Sequence, residues 1–250
     1  MPFSDAEARK PGHPPLLSRG DALFVDFDGT LVELAPTPAD IHVPAGLPGL
    51  LTSVSGRLGG AVALVSGRRL ADLVPLVAPF AGAIVGQHGS EIRYPDGRVA
   101  AASGDGAVEE ARVRLAPFAA RHRGIVLEDK GAAVALHYRG APDHANACRA
   151  AARDAVEASG GGLRAIDGNR VVELVPRQVG KGGAIALLVA ETPFIGRVPV
   201  FVGDDATDED GFAEVDALGG ISVKVGGGRS VARYRLPDVA AVLAWIARGA

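Results

Sequence analysis

The sequence predicts an α/β fold, in which a doubly wound, parallel-sheet core carries an inserted, smaller α+β domain of two αββ units. Apolar strands alternate with helical patterns from Asp21 to about Arg98, which is typical of a parallel sheet. The order then changes to helix, strand, strand, repeated once, and an apolar helix and strand follow from Lys181 onward. We therefore predict a core domain of residues 19–103 and 178–250 and an inserted domain of residues 104–177.

The core elements follow one another along the chain in short apolar segments separated by turn residues. The predicted strands lie near 22–27, 61–65 and 83–86, and the predicted helices near 45–57 and 69–78. A hairpin is expected through Glu91–Tyr94, because Pro95-Asp96-Gly97 is a turn sequence.

The inserted domain begins with a helix over 106–122, where Val108, Ala111, Leu115 and Phe118 recur at helical spacing. The remaining predicted elements are strands at 125–128 and 132–138, a helix at 143–159, and strands at 163–166 and 171–175. The turns between paired strands are Asp129-Lys130-Gly131 and Asp167-Gly168-Asn169. This αββ repeat predicts a sheet covered by two helices.

Composition limits the classes of partner. The chain has 250 residues, 48% of them hydrophobic, and a net charge of -3, so no global positive field attracts nucleic acid or an anionic membrane. No apolar run approaches the ~20 residues of a membrane span. Residues 1–18 read as a flexible tail without the apolar segment of a signal peptide. Cys148 is the only cysteine, which fits a reducing, cytoplasmic location, and a monomer is compatible with the sequence.

The most informative motif is Asp26-Phe27-Asp28-Gly29-Thr30, which directly follows an apolar strand. Two carboxylates spaced by two residues lie on one face of a strand and can converge where the strand ends. Such a pair suits cation binding or nucleophilic and acid–base chemistry. A polar strand end is the alternative, because Asp and Gly are ordinary turn residues.

Three further signals follow along the chain. One strand ends in Ser66-Gly67-Arg68, a helix begins at Lys181, and another strand ends in the acidic run Gly203–Asp210. Open parallel sheets place their sites at the carboxyl ends of strands. One pocket is therefore expected to collect the following side chains: Asp26, Asp28, Ser66, Lys181, Asp204 and Asp208.

These four segments in this order resemble the haloacid dehalogenase superfamily of phosphotransferases. The resemblance implies a Rossmann-like core with a cap domain, Asp26 as the nucleophile and Asp28 as the acid and base. It implies Mg²⁺ as the cofactor, held by Asp26, the backbone carbonyl of Asp28 and Asp204, with Asp208 in or near the outer shell. Lys181 and Ser66 would hold the phosphoryl group, and Thr30 either caps the loop or contacts the phosphate.

The segment Gly203-Asp204-Asp205-Ala206-Thr207-Asp208-Glu209-Asp210, with Phe212, is similar to the signature of the trehalose-6-phosphate phosphatase family. Shorter stretches agree with it: Ser66-Gly67-Arg68, Gly86-Gln87-His88-Gly89, Glu128-Asp129-Lys130-Gly131, Ala135–Arg139 and Glu173 ahead of Lys181. By this resemblance the substrate is a small-molecule sugar phosphate.

The same resemblance implies that Glu128, Lys130 and Glu173 of the cap bind the glucose ring remote from the phosphate. A Glu–Lys surface pair across a turn is the alternative interpretation. Gly67, Arg68 and His88 join the candidate substrate-binding residues. His88 either contacts the substrate or only its own backbone, and Arg68 either pairs with nearby acids or shapes the pocket.

Two kinds of alternative function remain at this stage. Another capped sugar phosphatase, acting on sucrose phosphate or mannosylglycerate phosphate, would share the core chemistry and differ in the cap. A catalytically silent sugar-phosphate-binding module is less favoured, because such a module is expected to lack the nucleophile, the acid or a metal ligand. Asp26, Asp28, Lys181 and Asp204 are all present.

Overall fold

The computed structural model describes residues 12–35, 40–101, 106–131, 133–168, 170–176 and 180–249. Every candidate site residue lies within these ranges. Residues 1–11 of the predicted tail, Ala132, Asn169 and the predicted domain boundaries at 103/104 and 177/178 lie outside the described residues.

The described residues contain strands and helices close to those predicted. The strands are β1 (Asp21–Val25), β2 (Val62–Val65), β3 (Ala83–Gly86), β4 (Glu91–Arg93), β5 (Val99–Ala101), β6 (Val126–Asp129), β7 (Val134–His137), β8 (Leu163–Gly168), β9 (Val171–Pro176), β10 (Val198–Gly203), β11 (Ile221–Val225) and β12 (Tyr234–Leu236). The α-helices are α1 (Leu47–Arg57), α2 (Leu70–Val77), α3 (Gly106–Arg121), α4 (Ala145–Ala158), α5 (Lys181–Val189), α6 (Glu209–Ala217) and α7 (Val239–Arg248).

The strands form two separate sheets, and the chain divides into two compact units, one within Met1–Val99 and Lys181–Ala250 and one within Ala100–Gly180. The larger sheet has the order β12-β11-β10-β1-β2-β3-β4-β5. The pairs from β12 to β3 are parallel, and β4 runs antiparallel to β3. This mostly parallel sheet with a separate α+β insert confirms the predicted fold class.

Helices pack on both faces of the larger sheet. Consecutive residues of β1, its central strand, show this, since their side chains point to opposite faces. Leu23 of β1 belongs to an apolar cluster that also contains buried residues of α1, α2 and α7. Phe24, its neighbour, stacks instead on Phe194 with ring centroids 5.3 Å apart. Trp245 of α7, the only tryptophan, is fully buried in the first of these two cores.

Part of the segment predicted as a tail is packed. Leu17 is 4% exposed and belongs to the same core cluster as Trp245. The Trp245 indole N–H donates to the Pro15 carbonyl at 2.9 Å, and the Arg235 amide donates to the Gly12 carbonyl at 3.1 Å. The chain is therefore ordered on the core well before β1 begins.

The second unit contains an antiparallel sheet of order β6-β7-β9-β8, with α3 and α4 packed on one face. The core between them includes Val108, Leu115, Cys148 and Leu174. Burial raises the pKa of the Cys148 thiol, as expected for a packing residue. The predicted two αββ units are thus present as α3-β6-β7 and α4-β8-β9.

A search of the described helices for a bilayer-spanning segment found none with the necessary length and apolar character.

Candidate active site

Three neighbouring parallel strands end at one edge of the core sheet, where the predicted motifs lie. β1 is hydrogen-bonded to β10 on one side and to β2 on the other. Asp26, Ser66 and Asp204 are the residues that directly follow β1, β2 and β10. Strand β1 ends at Val25 rather than at residue 27 as predicted, so Asp26 and Asp28 belong to the loop and not to the strand.

A cavity of about 490 Å³ opens at this edge. Its lining contains most of the predicted core-site residues, namely Asp26, Asp28, Gly67, Arg68, His88, Lys181 and Asp204. The other three predicted residues are buried and form hydrogen bonds with residues of the lining. They are Thr30, Ser66 and Asp208. The structure therefore brings together all the core-site residues that the sequence singled out.

Lys181 joins two carboxylates at the first turn of α5. Its ammonium group donates to Asp26 Oδ1 at 2.8 Å and to Asp208 Oδ1 at 2.6 Å, and all three side chains are at most 5% exposed. Burial alone would lower the pKa of Lys181, but these two carboxylates outweigh it and raise the pKa. Lys181 is therefore a fixed positive charge beside Asp26.

Burial raises the pKa of Asp26 well above its usual value, because Lys181 offsets only part of the desolvation cost and Asp208 and Asp204 add repulsion. Burial likewise raises the pKa of Asp204, with further repulsion from Asp208 and Asp205. The repulsion among the carboxylates of Asp26, Asp204 and Asp208 thus exceeds what Lys181 offsets. A divalent cation would relieve this repulsion.

Asp26, Asp204 and Asp208 each offer a carboxylate oxygen, and these oxygens all lie within 4.8 Å of one another, so the group could hold a metal ion. Hard cations prefer such all-oxygen sets, and the residues present therefore fit Mg²⁺. Asp208 Oδ2 also accepts from the backbone amides of Asp204 and Asp205 at 2.9 and 3.0 Å. Asp208 therefore holds the loop that carries Asp204.

Asp28 is bound through both of its oxygens by one edge of the Arg68 guanidinium group. Arg68 Nε donates to Asp28 Oδ2 and Arg68 Nη2 donates to Asp28 Oδ1, each at 2.7 Å. The side chain of Arg68 is 12% exposed and that of Asp28 is 29% exposed, so the pair lies at the cavity wall and not on the open surface. Both oxygens of Asp28 are consequently held in one plane.

The loop after β2 is tied to the loop that carries His88. Ser66 Oγ accepts from the Arg68 amide at 3.1 Å, and the Ser66 carbonyl accepts from the His88 amide at 3.0 Å. His88 has a φ of 55°, a left-handed conformation that is rare for a residue with a side chain. A Cβ atom at Gly67 would lie 2.6 Å from the His88 ring, so the imidazole packs directly on Gly67.

The first motif also requires a glycine at position 29, between Asp28 and Thr30. Gly29 has a φ of 82°, and a Cβ atom there would lie 2.2 Å from a carboxylate oxygen of Asp204. Thr30 follows, and its hydroxyl donates to Asp204 Oδ1 at 3.4 Å. The loop after β1 thus closes directly against Asp204.

In the second unit, the predicted cap residues share one face of the small sheet. Glu128, Ala135 and Glu173 are paired across β6, β7 and β9, so their side chains project to the same side. Lys130 donates to Glu173 Oε2 at 3.2 Å. Glu128 lies 2.7 Å from His137 Nε2, a partner that the sequence did not identify.

Other residues near the core site also escaped the sequence analysis. Leu34, Ile41 and Asp72 line the cavity. Leu34 and Ile41 lie between predicted elements, and Asp72 lies in the predicted helix 69–78 without a motif that marks it. Lys224 is 6% exposed, is paired in register with Gly203, and its charge opposes the raised pKa of Asp204. A lysine inside the otherwise apolar strand β11, in a chain with four lysines, was the available signal.

Asp205, for which the sequence allowed either a position near the metal ligands or a helix cap, caps the turn that follows it. Its side chain accepts from the Thr207 amide at 2.7 Å and completes a capping box with Asp208. Burial opposes ionisation, but the hydrogen bonds from Thr207 outweigh it and lower the pKa of Asp205.

The fold and this edge site define the class of protein. A solved structure described as a haloacid dehalogenase-like hydrolase from Bacteroides thetaiotaomicron matches 91% of this chain and 98% of its own with a TM-score of 0.67, at 16% identity. An Aspergillus fumigatus trehalose-6-phosphate phosphatase structure matches 92% of both chains with a TM-score of 0.74, at 25% identity. The core thus has the haloacid dehalogenase fold.

The family follows from the sequence comparisons. The model of the trehalose-phosphatase family matches residues 24–239. The trehalose-6-phosphate phosphatase of Escherichia coli (strain K12) is 41% identical over 93% of this chain and 87% of its own. A probable trehalose-phosphate phosphatase of Sinorhizobium fredii is 43% identical over 82% and 77%. The chain belongs to the trehalose-phosphatase family and is a phosphatase.

Proposed function

We propose that this protein hydrolyses trehalose 6-phosphate to trehalose and phosphate through an aspartyl-phosphate intermediate. Membership of the trehalose-phosphatase family supports the substrate. The observation that carries the chemistry is the convergence of Asp26, Asp28 and Lys181 on one cavity at the carboxyl edge of the sheet.

In the first step, an Asp26 carboxylate oxygen attacks phosphorus and the bond from phosphorus to the sugar oxygen breaks. Asp28 gives a proton to the departing sugar oxygen. Lys181, whose ammonium lies 2.8 Å from Asp26, neutralises the phosphoryl oxygens as they approach. Ser66 supports the phosphoryl group beside Gly67, and His88 and Thr30 complete its surroundings.

In the second step, water attacks phosphorus, Asp28 takes a proton from that water, and the bond to Asp26 breaks. Free phosphate leaves and Asp26 is restored as a carboxylate. Because Asp28 faces the cavity and remains 29% exposed at its side chain, both the sugar oxygen and water have access to it.

The proposed cofactor is Mg²⁺, held by Asp26, Asp204 and the backbone carbonyl of Asp28, with Asp208 orienting the loop and the outer ligands. When bound, it screens the repulsion between a phosphate dianion and the Asp26 carboxylate. The crowded carboxylates described above support this assignment, since their negative charge exceeds what Lys181 balances.

In the second unit, we assign sugar recognition to Glu128, Lys130 and Glu173. Carboxylates and an ammonium group are good partners for sugar hydroxyls. Lys130 and Glu173 are only 29% and 19% exposed at their side chains, so their pairing is better shielded than that of a surface ion pair.

The test is phosphate release from trehalose 6-phosphate, sucrose 6-phosphate, glucose 6-phosphate and p-nitrophenyl phosphate, each with and without Mg²⁺. We expect metal-dependent turnover with a strong preference for trehalose 6-phosphate. Metal-dependent turnover that prefers another ester would overturn the substrate and keep the core chemistry. Folded protein that is inactive on all four esters would overturn the catalytic assignment.

A further inference from the structure

We propose that Arg68 is a positioning residue that acts through Asp28, fixing the carboxyl group that exchanges protons with the sugar oxygen and with water. The inference rests on the proposed function, since it assigns a role to a second residue in the same proton transfer. The alternative for an arginine in a phosphatase cavity is direct contact with the phosphate.

The contact between the two side chains favours positioning. A guanidinium that binds both oxygens of one carboxylate fixes the plane of that carboxylate as well as its distance. The two bonds are equal in length, at 2.7 Å. Asp28 lies in the loop after β1, where its backbone forms an isolated bridge with Val32. That bridge does not orient the carboxylate, so the contact with Arg68 adds the restraint on the side chain.

Arg68 is itself anchored. Its amide donates to Ser66 Oγ at 3.1 Å and its carbonyl accepts from the Gln87 amide at 2.8 Å. A Cβ atom at Gly86 would lie 2.9 Å from the same carbonyl, so the two loops are in close backbone contact. The guanidinium carbon lies 5.9 Å from the centre of the Phe27 ring. A residue held at its backbone and at its side chain is suited to orient another group.

The consequence is a dependence on the leaving group. A sugar alkoxide is a poor leaving group and needs the proton that Asp28 supplies, whereas p-nitrophenolate departs without one. Water attack in the second step is common to both esters, so the difference is expected in kcat/KM, which covers the steps up to departure of the leaving group. A residue that only positions Asp28 must therefore lower kcat/KM for the sugar phosphate and change it much less for the aryl phosphate. A residue that binds the phosphate must matter equally for both, because both esters carry the same phosphoryl group.

The experiment compares kcat and KM of full-length Arg68→Ala, Asp28→Asn and the double variant on trehalose 6-phosphate and p-nitrophenyl phosphate. We expect Arg68→Ala to lower kcat/KM for the sugar phosphate by about 10²-fold, within the range for general acid–base catalysis, with a change several-fold smaller for the aryl phosphate. The double variant should be no slower on the sugar phosphate than Asp28→Asn, because the two residues share one function.

Arg68→Lys is the second variant, because it keeps the charge and loses the two-pronged contact. It should show the same selective loss to a smaller extent. Arg114→Ala, which removes an arginine paired with Glu110 on the exposed side of α3, is the control and should match the wild type on both esters.

The outcomes separate the inference from the function on which it rests. A selective loss of kcat/KM in Asp28→Asn with an equal loss of kcat/KM on both esters in folded Arg68 variants would overturn the positioning role and leave the proposed function standing. If Asp28→Asn itself showed no selectivity between the two esters, the proton-transfer role of Asp28 in the proposed function would be wrong, and with it the positioning role of Arg68.

Discussion

At the scale of single residues, the charge of buried Lys181 offsets part of the repulsion among the buried carboxylates of the core site. Asp26 and Asp208 share the ammonium group of Lys181, whereas Asp204 is hydrogen-bonded by Thr30 and attracted by the charge of Lys224. Removing a carboxylate from this cluster therefore removes repulsion as well as function, so activity and stability should respond in opposite directions.

Asp26→Asn tests this separation. Without the attacking carboxylate, kcat for trehalose 6-phosphate should fall by about 10³-fold or more. The free energy of unfolding should stay the same or rise, because a costly buried charge is gone while Lys181 keeps Asp208. Phosphate release and urea unfolding measure the two quantities. Loss of activity accompanied by a large drop in stability would instead assign Asp26 a structural role.

Gly29→Ala tests the contact between the first motif and Asp204. The left-handed backbone costs about 1 kcal/mol for a residue with a Cβ atom, and that atom would also displace the Asp204 carboxylate. We expect the Mg²⁺ concentration for half-maximal activity to rise about tenfold, as for other supports of metal ligands.

Gly97→Ala is the matched control for this variant. Gly97 has a φ of +86°, but a Cβ atom there would meet nothing within 4 Å. It should show the loss in thermal stability without the shift in Mg²⁺ dependence. A comparable Mg²⁺ shift in both variants would mean that the effect of Gly29→Ala does not pass through Asp204.

At the scale of elements, strands β6, β7 and β9 bring the predicted sugar-binding side chains onto one face of the smaller sheet. Glu173→Gln should lower kcat/KM for trehalose 6-phosphate by about tenfold to a hundredfold, since hydrogen bonds to charged groups contribute about 1.5–3 kcal/mol. Turnover of p-nitrophenyl phosphate, which carries no sugar, should change little. Steady-state kinetics on both esters measure the difference.

Asp167→Asn is the control for Glu173→Gln, because it breaks another ion pair of the second unit. Asp167 accepts from Arg149 at 2.9 Å, and it is 62% exposed at its side chain. This variant should leave both activities unchanged. Equal losses on the two esters in Glu173→Gln would remove sugar recognition from Glu173.

The elements that the sequence predicts follow from local patterns, and for this reason their positions agree with the structure. No bounds were predicted for β5, β11, β12 and α7. Apolar runs bounded by turn residues predict β2 and β3 at their observed bounds to within one residue, and the αββ repeat predicts the order of the second unit. Glycine and acidic residues placed directly after apolar strands likewise predict which side chains meet at the carboxyl edge of the sheet, because parallel strands end together there.

The pairings within the site could not be predicted in the same way. Arg68 and Asp28 are separated by 40 positions, and Lys130 and Glu173 by 43. Whether such groups meet depends on side-chain rotamers and on the register of strands, neither of which a local pattern encodes. The end of β1 at Val25 is a related case, because the apolar Phe27 continues the strand pattern while the backbone has already turned.

At the scale of the whole molecule, the crowded carboxylates link cation binding to folding. A cation bound only by the folded state raises its stability by about 1.4 kcal/mol at ten times the dissociation constant. For a protein of this size that corresponds to a rise in melting temperature of about 3 °C. We expect Mg²⁺ to produce such a rise, and EDTA to reverse it, in differential scanning fluorimetry.

Asp204→Asn supplies the comparison for this measurement. It removes one of the three carboxylates that converge on the proposed metal position, so the Mg²⁺-dependent rise in melting temperature should disappear. If the variant still responded as the wild type does, the stabilisation would come from nonspecific ionic screening, and the assigned site would be wrong.

The buried indole of Trp245 is an intrinsic fluorescent probe of the larger unit. Because the chain has a single tryptophan and the second unit contains none, emission excited at the red edge of the indole band comes from the larger unit alone. The hydrogen bond from its ring to Pro15 makes that emission sensitive to detachment of the segment that precedes β1. Unfolding of the larger unit can thus be followed by fluorescence without a label, while circular dichroism records both units together.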